Sequence, residues 1–539
     1  GIVFPDRTPH PSYMEAQRLQ QPLNFRIARA DATPGASHMS VDVAIHNRFT
    51  FRCFNHLEFH WKLFNACGQH AAGSILSLAA GPGETASVTI RVPKMENMQF
   101  GSWLHIEARL KDRTVYAPEG FVIAQQGFTL STPEPMLSGS YGALCRGSLA
   151  PLCSQVSEGA SHVSVSGSDV SRVVQSPTYV AVFEGGRLTS LCAPGGKELL
   201  ANAESSSFGC SLSHRFTRAP TADDRGGVDL FAPWAMQSAG TRCIIRCMSR
   251  MGLIGMSHFA HWDQAGLNSL ESVIEGSLQW VTDAKEVALQ VNELFKHKAS
   301  QLFRTVTKYS FHKDSIDIDV NVWPLKGVMS VPSLPRVGLE LLLAPRLSCL
   351  TWLGCGSGES YPDRKAANDW RVHCGAVDKQ HVEYLVPGEC GGKSDVHWAA
   401  LTDPSSLGEG LLVQYASVDK PPPKEKLGGK PGTRPAGTSG AQLSTSRWAI
   451  EELTSTRTKH CHALPDYDNS DALQRRPIRV NIDTAHMGVG AAGNGNEAVW
   501  AVGPQFLLKP ELNSPWSYQV KLRPLRTGTM EWLHNGTAS

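Results

Sequence analysis

The sequence predicts an all-β protein of several domains, and three observations carry that prediction. Apolar residues recur at every second position in many short runs, as in Val41, Val43 and Ile45 or Ile316, Ile318, Val320 and Val322. That is the spacing of a strand with one face on a core. Turn formers are abundant, with 49 Gly and 33 Pro, while helix formers do not dominate. The chain of 539 residues is long enough to close more than one hydrophobic core.

The elements follow in order. Residues 1–22 contain Pro9 and Pro11 and then a helix-compatible stretch, Ser12 to Gln21, with Ser12 as the expected N-cap and Glu15 three residues on. The stretch carries few large apolar residues, so it cannot fold alone. Over residues 23–130 the period is two: Leu57, Phe59, Trp61 and Leu63 alternate with Glu58, His60, Lys62 and Phe64, and Val88, Ile90 and Val92 and then Leu104, Ile106, Ala108 and Leu110 repeat the pattern. Half-buried strands at this density predict an immunoglobulin-like β-sandwich, a spacer in which nothing converges on chemistry. Residues 131–177 are rich in Ser, Gly and Ala, contain Pro133, Pro135 and Pro151, and predict an extended linker. Beyond them Tyr179 to Phe183 and Leu188 to Leu191 flank Gly185-Gly186, a hairpin signal. A large all-β domain is predicted over 178–526, interrupted at 419–440 by a Pro, Gly and Lys-rich insert that cannot pack a core and is expected to be disordered. Residues 527–539 read as a tail.

Charge and composition narrow the function classes. Lys and Arg number 51 against 49 Asp and Glu, a net charge of +2, so neither nucleic acid nor another highly charged partner is expected. No apolar run reaches the ~18 residues that a bilayer span needs, so no membrane partner is expected either. Thirteen cysteines are scattered without a C-x-x-C pair; the closest pairs, Cys243 with Cys247 and Cys145 with Cys153, lack zinc-site spacing. Buried, reduced thiols in a cytoplasmic protein are the expectation.

Four motifs stand in order along the chain: F-T-R-A-P-T-A-D-D-R-G at 216–226, W-L-G-C-G-S-G-E-S-Y-P-D-R at 352–364, Y-L-V-P-G-E-C-G at 384–391 and N-I-D-T-A-H-M-G-V-G at 481–490. With G-I-V-F-P-D-R-T-P-H-P at 1–11 they resemble the C-terminal half of β-galactosidases of glycoside hydrolase family 2. The resemblance implies a large β-sandwich of galactose-mutarotase type for the last domain and makes 1–22 the last helix of a TIM barrel. It implies retaining hydrolysis of terminal β-D-galactosides by the intact enzyme, with both catalytic glutamates and the magnesium and sodium ligands in the barrel, upstream of Gly1. No catalytic residue and no metal ligand is therefore expected here, and the chain alone is expected to be inactive. The implied partners are a β-galactoside sugar, the barrel on the same chain or a separate subunit, and further copies in a homo-oligomer. A non-catalytic structural or carbohydrate-binding protein of the same fold, and the small subunit of a split enzyme, are the alternatives.

A retaining glycosidase needs two carboxyl groups about 5–5.5 Å apart. Asn55-His56-Leu57-Glu58 resembles an N-x-x-E acid/base motif, but Glu58 falls on the polar face of an alternating strand and reads as a solvated carboxylate. Ala485-His486-Met487-Gly488 resembles the nucleophile segment without its Glu, and Asp483 belongs to the separate N-I-D motif. The family places an aromatic residue two positions before N-I-D against the sugar; here that position is Arg479, the candidate substrate-binding residue. A guanidinium can lie flat and donate to hydroxyls, but it does not reproduce an aromatic face; the other reading is a surface arginine beside a strand. Lys459-His460-Cys461-His462 has ligand-type residues whose neighbours would point to opposite faces of a strand, and His460 matches a structural His of the family. Glu359, Tyr361, Asp363 and Arg364 predict a charged, hydrogen-bonded turn, and Arg218 with Asp223 and Asp224 reads the same way. Gly-rich residues 488–495 lack the strand-to-helix setting of a phosphate loop and predict turns.

Overall fold

Alternating side chains do build strands from end to end in a computed structural model that describes residues 2–31, 36–66, 68–75, 78–94, 101–131, 163–168, 170–201, 210–225, 257–283, 286–406, 408–417, 440–455, 460–490, 504–512 and 514–526. The first sandwich is antiparallel throughout. Its three-stranded sheet pairs Leu23–Asp31, His38–Asn47 and Thr85–Pro93, and its four-stranded sheet runs in the order Gly68–Ile75, Leu57–Asn65, Ser102–Leu110 and Val122–Ser131. Val41, Val43, Ile45, Ile90 and Val92 from one sheet meet Leu57, Phe59, Leu63, Leu104, Ile106 and Ala108 from the other, all buried in one core. Trp61, half-buried, lies over Gly73, where an added Cβ would fall 2.7 Å from the indole, so only glycine leaves the ring its place.

The second body is larger. A five-stranded sheet runs Leu212–Arg215, Arg336–Leu343, Ile478–His486, Ala441–Ser446 and Lys393–Val396. It faces a ten-stranded sheet that includes Ile316–Pro324, Trp516–Leu525, Gly410–Ser417, Trp398–Thr402, Cys349–Gly356 and Asp369–Ala376. Ile478, Val480 and Ile482 on one side and Ile316, Ile318, Val320, Val322, Tyr518, Val520 and Leu522 on the other share a single core. The hairpin at Gly185-Gly186 forms as expected, both glycines at positive φ (54° and 81°), the conformation such a two-residue turn demands.

Two local expectations are corrected. The N-terminal helix runs Pro11–Gln20, and its N-cap is His10 with no side-chain cap, not Ser12. Pro11 starts it two residues earlier than that cap would, because its fixed φ suits the first helical position, where an N–H would be orphaned anyway. Glu15, instead of closing a capping box, accepts hydrogen bonds from the backbone N–H of Ala366 (2.9 Å) and Ala367 (2.8 Å) on the far body. The region 131–177 is also more than a linker: Ser164–Gly167 and Ser171–Gln175 are strands that extend the hairpin into a four-stranded sheet. Their Ser and Gly content hid a short alternation that becomes stable by pairing with a buried neighbour. Residues 132–162 of that region, the insert at 419–440 but for Gly440, and the tail at 527–539 lie outside the described residues.

The two bodies meet along a seam. Ala66 and Trp103 of the first join Leu353, Val372, Trp398, Ala400, Leu412 and Leu525 on the outer face of the ten-stranded sheet in an apolar cluster. Beside it the His105 Nδ1 and the Asp369 carboxylate stand 2.5 Å apart. Burial works to lower the His105 imidazole, but Asp369 and Glu107 outweigh it and hold its pKa up at about 9. Gly127 opposite has no room for a side chain, since a Cβ there would fall 2.4 Å from the Asp369 carboxyl carbon. Among the described residues no helix is long and apolar enough to cross a membrane.

Candidate functional site

Period two decides what faces where on the strand Ile478–His486. Ile478, Val480 and Ile482 enter the core, so Arg479, Asn481 and Asp483 line the opposite face of the sheet. Register places Glu340 opposite Asn481, Gly338 opposite Asp483 and Arg215 opposite Gly338, which gathers these residues on that same face. Gly338 is required there: a Cβ would meet the Asp483 carboxylate at 2.4 Å.

Arg479 is no surface arginine. Its side chain is 8% exposed and its Nη1 lies 3.5 Å from Glu340 Oε2. The same carboxylate accepts from Arg215 Nε (3.1 Å) and Nη2 (2.7 Å), and Arg215 Nη1 reaches Glu451 at 3.5 Å. Next to this group Arg336, fully buried, donates from Nη2 to Glu389 (2.7 Å) and stands 3.5 Å from Asp483. Burial pushes Asp483 up to about 7, against the pull of Arg336 and with the help of the nearby Glu389 carboxylate. Burial raises Glu389 as well, with Arg336 and Arg218 opposing it. His486 is held neutral by burial and by Arg218 and Arg336. Its Nδ1–H donates to the Met487 carbonyl (2.7 Å), which leaves Nε2 to face Arg336 Nη2 at 3.4 Å.

The remaining motifs close on the same network. Arg218, fully buried, pairs through two nitrogens with Asp224 (3.1 and 2.7 Å) and donates to the carbonyls of Met487 (2.7 Å) and Gly488 (3.0 Å). Asp224 is the partner; Asp223 beside it is exposed. Asp363 accepts from the backbone N–H of Val489 (3.0 Å) and Gly490 (2.7 Å), fixing the turn after His486. Glu359 accepts from Arg364, from the Tyr384 hydroxyl and from the Gly391 N–H (2.8 Å). The charged turn predicted at 359–364 therefore forms, and it binds the second motif to the third and the fourth.

The other candidates stay apart. Glu58 is exposed on its strand, with His60 3.4 Å away. Residues 461–463 form a 3₁₀ turn, not a strand; Cys461 is buried while His460 and His462 are exposed. Among the described residues no three His, Cys, Asp or Glu side chains gather in a way that could hold a metal ion. Sequence reading passed over Arg215, Arg336 and Glu340. The available signal was a charge inside an apolar run, as in Val337 to Leu343, where Glu340 sits among leucines; a buried charge of this kind requires a partner.

Fold and network together define a chain of two β-sandwich bodies whose charged motifs are drawn into one buried scaffold beneath a polar sheet face. Residues 176–522 match the family described as "Beta galactosidase small chain", and residues 43–131 match "Beta-galactosidase, domain 4". The chain belongs to the β-galactosidase small chain family. It is 24% identical to a "Beta-galactosidase" of Photobacterium profundum over 93% of this chain and 40% of that protein. It is 26% identical to one of Yersinia enterocolitica over 96% of this chain and 40% of that protein. The chain thus spans about 40% of the length of these curated relatives. Among solved structures it is similar to a galactose mutarotase related enzyme from Lactobacillus acidophilus, with a TM-score of 0.28 and 6% identity over 68% of this chain and 98% of that one.

Proposed function

We propose that this chain is the C-terminal portion of a β-galactosidase, the part that walls and supports a sugar site whose catalytic glutamates belong to a barrel on the same chain or on a partner subunit. The observation that supports this most is the closure of four sequence-distant motifs, through Arg218, Glu359, Asp363, Glu389 and His486, on one network at the sheet face that carries Arg479. A retaining glycosidase needs two accessible carboxyl groups about 5–5.5 Å apart. Glu340, Glu389 and Asp483 are buried among arginines and serve support, not attack. In this reading Arg479 donates to the hydroxyls of a terminal β-D-galactoside from the wall of the pocket, magnesium and sodium fall to the barrel, and the intact enzyme assembles as a homo-oligomer.

The test is hydrolysis of para-nitrophenyl β-D-galactoside, with the α anomer as control. The full reading frame containing this chain should cleave the β anomer alone, and the chain by itself should cleave neither. Turnover by the isolated chain would overturn its non-catalytic role. In the full enzyme Arg479→Met should raise KM severalfold and leave the thermal midpoint almost unchanged, because Arg215 still neutralises Glu340. An unaltered KM with a lowered midpoint would make Arg479 a member of the scaffold and remove it from the pocket.

A further inference from the structure

The ten-stranded sheet ends on the strand Asp369–Ala376, which pairs on one side with Cys349–Gly356. Thr351 stands opposite Cys374 and Cys349 opposite Ala376, so the two cysteines are diagonal neighbours on one face. Their sulfur atoms are 3.7 Å apart. Cys374 is exposed and Cys349 half-buried, so a small reagent reaches the first and the second stands behind it. We propose that Cys374 and Cys349 form a dithiol site that reacts with low-molecular-weight disulfides, Cys374 as the attacking thiol and Cys349 as the resolving one.

The chemistry balances without any further reagent. The Cys374 thiolate attacks one sulfur of the small disulfide, forming a mixed disulfide and releasing one small thiolate, which takes up a proton. Cys349 loses its proton and attacks the Cys374 sulfur, breaking the mixed disulfide and releasing the second small thiol. Two protein thiols are oxidised to one disulfide, and one small disulfide is reduced to two thiols.

Three features set this pair apart among the described cysteines. The hydrogen bond from Cys349 favours the thiolate of Cys374 and brings its pKa down to about 6, while Cys349 is raised. Burial instead pushes Cys210 up to about 11, and it raises Cys390 too. Geometry also makes the product labile. Diagonal positions on paired strands lie about 7–8 Å apart, at or beyond the span that an unstrained disulfide bridges, and strained, exposed disulfides are the readily reduced ones. Finally, the edge strand that carries Cys374 also presents Asp369, Trp370 and Val372 to the seam, so the link would staple that strand to its neighbour at the end away from His105.

The experiment treats the purified protein with oxidised glutathione, alkylates the remaining thiols with iodoacetamide and maps the digest by mass spectrometry. The expected product is a Cys349–Cys374 cross-linked peptide pair that dithiothreitol reverses. Cys349→Ser should stop the reaction at glutathionylated Cys374, and Cys374→Ser should leave Cys349 free for alkylation. Alkylation of wild-type Cys374 should level off below pH 7. Persistent glutathione on Cys374 of the wild-type protein with Cys349 alkylated would overturn the proposal, as would a Cys374 alkylation rate still rising through pH 8.5.

Discussion

Among the described residues charge is buried in several places, and at two of them the terms differ. At the seam one base lies between two acids: His105 is 2.5 Å from Asp369 and 3.4 Å from Glu107, and Lys62 and Arg109 flank Glu107 from the same sandwich. Each group keeps its ionised form, since Asp369 is lowered despite its burial by the hydrogen bond from His105, while His105 is raised. In the sheet-face network four arginines, Arg215, Arg218, Arg336 and Arg479, share one region with Asp224, Glu340, Glu389 and Asp483. Formal charges match there, yet Asp483 moves up towards neutrality. Its nearest cation is 3.5 Å away, and neither carboxylate oxygen has a hydrogen-bond partner among the described residues. Matching charges by number is thus not enough. Short, directed hydrogen bonds keep a buried group ionised, and burial, helped by a neighbouring like charge, undoes that where they are missing.

The largest effect is expected where an arginine holds two carboxylates at once. Arg336→Met removes the cation that faces both Glu389 and Asp483 and leaves them buried without it. Breaking one side of a buried ion pair costs about 3–5 kcal/mol. Urea unfolding followed by circular dichroism should show a midpoint lowered accordingly at pH 7, with part of the loss recovered at pH 5, where both acids accept protons. A midpoint within error of the wild type at pH 7 would show that the network is not held together by Arg336 and would break the comparison.

A smaller effect, with a different pH window, is expected at the seam. The folded pKa of His105 is about 9, above its unfolded value of about 6.5. Its contribution is therefore complete below pH 6.5 and is lost as pH rises through 9. His105→Gln should cost about 1–3 kcal/mol at pH 6, the scale of a hydrogen bond to a charged group, and close to nothing at pH 10. Unfolding midpoints across that range decide it. A penalty equal at both ends would mean that His105 acts by packing alone.

Sequence alone revealed which face each strand turns inward, but not what would cover the other face. Ile478, Val480 and Ile482 declare the core side of their strand, so the placing of Arg479, Asn481 and Asp483 on one opposite face was legible. That this face is closed by arginines from three other strands or turns was not, because no local signal links Arg215, Arg218 and Arg336 to Asp483. His105 taught the same lesson. It occupies a polar slot between Leu104 and Ile106 and reads as solvated, whereas its partner Asp369 lies 264 residues further on. Motif reading did better with the second to fourth motifs, since carboxylates of the second accept from backbone N–H groups of the others, as Glu359 finds Gly391 and Asp363 finds Val489 and Gly490.

The finest test of the comparison is a change small in size but specific in slope. Asp483 has a folded pKa of about 7, above the unfolded value of about 3.9. Between those limits the folded state holds a proton that the unfolded chain has released, so stability should fall as pH rises from about 4 to 7 and then level off. Glu389, raised by the same burial, titrates with Asp483 as a coupled pair, so the decline belongs to both. Asp483→Asn mimics the protonated acid in shape and charge. It should leave the unfolding midpoint at pH 5 within about 1 kcal/mol of the wild type and flatten the decline towards pH 7, while the higher window set by His105 stays unaltered. If the variant instead loses stability equally at pH 5 and pH 8, Asp483 is an ionised partner of Arg336 throughout, and the two buried clusters obey one rule after all.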